Sequence, residues 1–131
     1  MVTGLHANKR KKNRLVSSFR FGFQGIASAA SGERNMQIHI CISVLVILAG
    51  FAFSITRSEW IAVLLAIGGM IALEMMNTAV ERTVDLYTDE FHPLAKQAKD
   101  ISAGAVLIFA IISVIIGMII FLPRILAIVH L

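Results

Sequence analysis

Between Glu74 and Asp85 lies Glu-Met-Met-Asn-Thr-Ala-Val-Glu-Arg-Thr-Val-Asp, in which three carboxylates and one carboxamide recur at i, i+3, i+7 and i+11. At roughly 100° per helical residue, Asn77, Glu81 and Asp85 fall at about −60°, −20° and +20° from Glu74, on one stripe of one helix. Met75, Met76, Ala79, Val80 and Val84 point mostly elsewhere. Carboxylates with an amide suit hard cations, and magnesium is typically held by one or two carboxylates together with substrate phosphates. Lys and Arg nearby balance phosphate charge. A carboxylate close to hydrocarbon is poorly solvated as the anion, which favours taking a proton from a substrate hydroxyl. That set fits phosphoryl transfer to a lipid alcohol, where positioning and charge neutralisation do most of the catalysis. Two other roles fit the same stripe: ion binding in a transporter, or hydrogen bonds that close one helix on another.

The elements that must position this stripe are membrane helices. Of the 131 residues 57% are hydrophobic, with a mean hydropathy of +0.81, too apolar for an ordinary soluble domain. Residues 35–56 and 101–123 carry no formal charge, and each run is long enough for the ~20 residues that cross a bilayer. Between Glu59 and Glu74 only 14 uncharged residues intervene. They supply about 21 Å of helix, whereas a hydrocarbon layer is about 30 Å thick, so the helix must continue through Glu74 and Asn77 toward Val80. This places Glu74 within or at the edge of the apolar layer, where an acidic side chain marks a site.

Ten of the 12 Lys and Arg residues fall on one side of such a layout. Lys9, Arg10, Lys11, Lys12, Arg14, Arg20 and Arg34 precede the first span, and Arg82, Lys96 and Lys99 separate the second from the third. Arg57 and Arg124 are left for the other side. The positive-inside rule then predicts a cytoplasmic N-terminus and a cytoplasmic 81–100 segment, with the Arg57–Glu59 turn and the C-terminus outside and Trp60 anchoring at the interface. The net charge of +4 follows from this bias, which argues against a nucleic-acid partner. No cleavable signal peptide is expected, since the basic N-terminus leads into no compact apolar core with a small-residue cleavage site. Cys41 is the single cysteine, which excludes an intrachain disulfide.

Ahead of the first span, Leu15, Phe19, Phe23, Ile26, Ala27 and Ala30 recur at helical spacing, with Ser17, Arg20, Gln24, Ser28 and Ser31 between them. The pattern predicts an amphipathic helix on the membrane surface, next to a basic cluster suited to anionic headgroups. A simple surface spacer accounts for it equally well. After the second span, His92-Pro93 ends the helix, because the residue before proline is biased away from helical geometry. Leu94 to Asp100 leads into the third span, with Lys96 and Lys99 three residues apart. Anchoring at the interface is the commoner role of such lysines, and a loop position the commoner role of a histidine like His92. No GxxxxGK[ST] loop and no HRD and DFG pair occur, so the soluble kinase nucleotide folds are absent.

The Glu74–Asp85 segment resembles the signature of the small, membrane-integral bacterial diacylglycerol kinase family. Glu33 and the Ala98-Lys99-Asp100 and Ala103-Gly-Ala-Val-Leu107 segments match it in register, and the resemblance runs from about Arg14 to Leu122. Glu33 to His39 and His92 to Lys96 are similar to the Gram-positive branch, whose members are undecaprenol kinases. The resemblance implies an all-α membrane protein of three transmembrane helices and an N-terminal surface helix, assembled as a homotrimer with a cytoplasmic-face active site shared between neighbours. It implies a single domain over residues 1–131, comprising a basic segment 1–14, a surface helix 15–33 and spans at about 36–56, 60–80 and 101–122. By the same resemblance Glu74 is the base acting on the lipid hydroxyl, and Glu33 and Glu81 hold Mg2+ on the ATP phosphates. Asn77 supports that site, and Arg14, Phe21, Glu90, His92, Lys99 and Asp100 contact the nucleotide. Phe23 and Ala30 line the lipid side with Glu74.

His39 stands where the enteric members carry glutamate, and Phe21 where they carry tyrosine, both in keeping with the Gram-positive pattern. The expected reaction is transfer of the ATP γ-phosphate to undecaprenol in the bacterial cytoplasmic membrane. Diacylglycerol is the alternative acceptor, and a cation-handling membrane protein is the alternative outside enzymes. Asp85 is left with hydrogen bonding at the helix end.

Overall fold

A computed structural model describes the backbone of residues 3–87 and 90–129, and side chains from residue 14 onward. The side chains of the basic cluster Lys9 to Lys12, together with Thr88, Asp89 and residues 130–131, lie outside the described residues. The fold is all helical: α1 (Thr3–Gly32), α2 (Arg34–Ala52), α3 (Arg57–Tyr87) and α4 (Pro93–Val129). Helix α1 forms one compact unit and α2 to α4 form a second. Three helices, α2, α3 and α4, are long and apolar enough to cross a membrane.

The first helix starts well before the expected Leu15. No proline interrupts residues 3–32 and Lys, Arg and Ala favour helix, so the basic segment continues the amphipathic one. Leu15, Phe19, Phe23 and Ile26 are exposed along it and, with Gly22 and Ser18, border one apolar groove on its surface. The helix closes at Gly32, and Glu33 opens α2 in an extended conformation (φ −112°, ψ 122°). Its carbonyl accepts the Gln37 N–H at 3.2 Å, while its side chain makes no capping bond and stays available for other work.

In the second unit α3 is the central helix, packed on α2 along one side and on α4 along another. The turn from α2 to α3 is set by two local devices. Ser54 takes a left-handed backbone (φ 50°), and Ile55 N–H and Ser54 N–H bond back to Gly50 O and Phe51 O, both at 3.1 Å, the pairing of a Schellman closure. Gly50 leaves room for this return, because a Cβ there would meet the Trp60 ring at 2.8 Å and Ile55 Cδ1 at 3.2 Å. Thr56 and Glu59 then form a capping box: Thr56 N–H donates to Glu59 Oε2 (2.7 Å) and Glu59 N–H to Thr56 Oγ1 (3.4 Å). Glu59 also accepts two bonds from the Arg124 guanidinium, at 3.0 and 2.8 Å, which ties α4 to this end of α3. Helix α4 runs past the expected end at Leu122, through Pro123, to Val129.

Few apolar side chains are buried. Ile55, Val63 and Ile120 form a small core beside the turn, packed by Trp60, Phe53 and Phe121. Large apolar residues along all three helices remain exposed. Water would not tolerate that much apolar surface on a soluble monomer, whereas lipid tails or further protein would cover it.

Candidate active site

Polar groups collect at the end of the bundle away from Glu59 and Arg124, and α3 supplies most of them. The predicted stripe runs from buried to exposed: Glu74 is 3% exposed and Asn77 6%, Glu81 is half-buried, and the Asp85 side chain is 61% exposed. The carboxylate row therefore crosses from an apolar to a polar environment over about 16 Å of helix. No hydrogen bond or ion pair reaches the Glu74 carboxylate among the described residues. Thr78, one turn beyond Glu74 on the same face, is 4% exposed, and its hydroxyl has no partner among them either.

The rest of the stripe is held by named partners. Asn77 Nδ2 donates to Glu81 Oε1 at 3.0 Å, and Ser102 Oγ on α4 donates to Asn77 Oδ1 at 2.7 Å. Arg82 Nη2 donates to Glu33 Oε1 at 2.8 Å, which brings the first residue of the second unit to the level of Glu81. Lys99 pairs with Asp85, joining α4 to the outer end of the stripe, and Lys96 pairs with Asp100. His92 caps α4: its Nδ1 accepts the Leu94 N–H at 3.3 Å, and its carbonyl accepts Lys96 N–H at 3.0 Å. Nδ1 must then be the bare ring nitrogen, which leaves the proton on Nε2. Asp85, Glu90, His92, Lys96, Lys99 and Asp100 border a cavity of about 520 Å³.

Of the residues singled out in the sequence, Glu33, Glu74, Asn77, Glu81, Glu90, His92, Lys99 and Asp100 all belong to the α2–α4 unit. Arg14, Phe21, Phe23 and Ala30 belong to α1. There the Arg20 guanidinium sits 5.3 Å from the centre of the Phe21 ring and covers the aromatic face expected to meet a nucleotide. Three residues at the site were not anticipated. Thr78 falls at about +40° from Glu74, on the stripe, so helical phase alone would have found it. Ser102, the first polar residue of an otherwise apolar run, and Arg82, the basic residue next to Glu81, carried weaker signals. Asp85 pairs with Lys99 of α4.

Among the described residues no group of three or more Asp, Glu, His or Cys is placed to hold a metal alone. Glu33 and Glu81 are hard oxygen donors, and two of these suffice for magnesium once phosphate oxygens complete its shell. The donor chemistry fits a cation that arrives with a phosphate ligand, and does not fit a resident structural ion.

Comparison with known proteins places these features in a family. Residues 20–121 match the family described as Prokaryotic diacylglycerol kinase. The chain is 49% identical over 117 residues to the undecaprenol kinase of Bacillus subtilis, covering 89% of this chain and 95% of that protein. It is 43% identical to a diacylglycerol kinase of Synechocystis (86% of this chain, 65% of that protein). With the diacylglycerol kinase of Escherichia coli K12 it shares 28% identity over 105 residues (78% and 84%).

Proposed function

Because the chain belongs to the prokaryotic diacylglycerol kinase family and is a lipid kinase, we propose that it transfers the γ-phosphate of ATP to the hydroxyl of undecaprenol, giving undecaprenyl phosphate. The observation that carries the choice of acceptor is the 49% identity, over nearly the whole of both chains, to an undecaprenol kinase. Diacylglycerol is the second acceptor, favoured by the 43% identity to the Synechocystis enzyme.

The geometry of the stripe supports a division of labour. Glu74, buried and without a partner among the described residues, takes the proton of the lipid hydroxyl as its oxygen bonds to the γ-phosphorus and the bond to the β–γ bridging oxygen breaks. The buried, unpartnered Thr78 hydroxyl beside it supports the entry of a polar group at this depth. Glu33 and Glu81 would hold Mg2+, which supplies charge neutralisation on the phosphates. Lys99 exchanges Asp85 for a phosphate oxygen, a swap between exposed partners that costs little. His92, Glu90 and Asp100 line the cavity for the remainder of the nucleotide. On α1, Arg14 and Phe21 are further nucleotide contacts in this reading. Phe23 and Ala30 face the lipid.

We place the site on the cytoplasmic side, since ten of 12 basic residues fall there. Assembly as a homotrimer would cover part of the exposed apolar surface and complete a site that one chain leaves open. A competition assay with undecaprenol, diacylglycerol and radiolabelled ATP on purified protein tests the acceptor. Undecaprenyl phosphate should dominate at equal acceptor concentration, and a predominance of phosphatidic acid would reverse the assignment.

A further inference from the structure

Ser102 lies on α4, outside the acidic stripe, yet its hydroxyl decides which way a stripe residue points. Its Oγ is 2.7 Å from Asn77 Oδ1 and 2.9 Å from the Lys99 carbonyl oxygen. Asn77 in turn places its amide nitrogen 3.0 Å from Glu81 Oε1. The amide has two orientations, and the charges choose between them. With Glu81 as the anion, a reversed amide would set its oxygen against a carboxylate oxygen with no proton between them. The nitrogen therefore faces Glu81 and the oxygen faces α4, where only a donor suits it. Ser102 is that donor. It carries one proton, shared between Asn77 and Lys99 O, so the chain of bonds runs one way, from Ser102 through Asn77 to Glu81. Asn77 is 6% exposed, which leaves little room for water to take over the role. The same hydroxyl touches the backbone of Lys99, whose ammonium holds Asp85.

On the assignment of Glu81 as a cation ligand made above, we propose that Ser102 is a positioning residue for the phosphate-bound divalent cation. Its hydroxyl locks the Asn77 amide, and the locked amide holds the Glu81 carboxylate in the orientation that receives the ion. Partners behind a metal ligand tune affinity in this way, and their loss typically weakens metal binding by roughly tenfold or more.

The test uses the full-length protein in detergent micelles with Ser102→Ala, Ser102→Thr and Ser102→Cys, and Glu81→Gln for reference. Three quantities are read: Mn2+ affinity in the presence of ADP by electron paramagnetic resonance, the Mg2+ concentration for half-maximal turnover, and the side-chain amide resonances of protein labelled with 15N-asparagine. The chain has four asparagines, so the Asn77 pair is identified by its disappearance in Asn77→Asp. Ser102→Ala should weaken Mn2+ binding and raise the Mg2+ requirement roughly tenfold, with a smaller change in kcat, and should shift the Asn77 amide signals. Ser102→Thr should stay near the native values. Ser102→Cys, a weak donor of similar volume, should fall between and stands in for Ser102→Ala if that variant does not fold. An unmoved Asn77 signal with unchanged Mn2+ affinity in Ser102→Ala would overturn the role, as would equal impairment of the Thr and Ala variants. If Glu81→Gln weakens Mn2+ binding while Ser102→Ala does not, only the Ser102 role fails; if Glu81→Gln has no effect, the cation assignment fails with it.

Discussion

Glu74→Gln separates chemistry from stability at this site. The side chain is 3% exposed and no hydrogen bond or ion pair reaches it among the described residues, so the nearly isosteric amide breaks no bond within the chain. A neutral amide also costs less to bury than a carboxylate anion. The stability change should therefore stay within about 1 kcal/mol, with no fall in the unfolding midpoint. Turnover is a different matter, since the amide cannot accept the proton of the lipid hydroxyl. General-base catalysis contributes roughly 10²–10⁴ in rate, equivalent to about 3–5 kcal/mol of the barrier. The assay is transfer of radiolabel from ATP to undecaprenol, run beside thermal unfolding followed by the fluorescence of Trp60, the chain's one tryptophan. Turnover within about threefold of the native enzyme would refute the role of Glu74. So would a loss of activity fully matched by a loss of folded protein.

Two further substitutions probe the scaffold. In Gly69→Ala the new methyl would meet the Phe109 ring of α4 at 2.9 Å to Cε1 and closer still to Cζ. The strain should cost about 1–3 kcal/mol and loosen the α3–α4 contact that Asn77 and Ser102 share; Phe109→Leu in the same chain should restore the midpoint, and an unchanged midpoint in Gly69→Ala alone would contradict the packing. Arg124→Ala removes both bonds that Glu59 accepts from α4 and should lower the unfolding midpoint, less so at high salt. Because this pair sits about 22 Å along α3 from Glu74, kcat should hold, and a drop in kcat without a drop in midpoint would disconnect the two ends of the bundle from this account.

Much of the architecture was legible locally. The charge-free run 101–123 lies within α4, whereas the run 35–56 covers nearly all of α2 and extends four residues past its end at Ala52; span arithmetic carries α3 through Glu74. The stripe from Glu74 to Asp85 was readable because helical phase depends only on spacing along one element. Its grading from a buried Glu74 to an exposed Asp85 followed from the short uncharged run ahead of it. Where α1 begins was not legible, since amphipathic patterning starts at Leu15 while helix propensity extends further back.

The pairings between helices belong to the tertiary structure alone. Ser102 meets Asn77 across 25 residues and Arg82 meets Glu33 across 49, distances over which no periodicity carries information. The physical reason lies in α4, whose membrane stretch is apolar all round and so does not mark the side that faces α3. That side is chosen by close packing, with Phe109 laid over Gly69 and Arg124 clasped by Glu59. Once those contacts fix the rotation of α4, Ser102 and Lys99 turn toward the stripe. The residue types and their spacing on α3 were written in the chain; their partners followed from how α4 is turned.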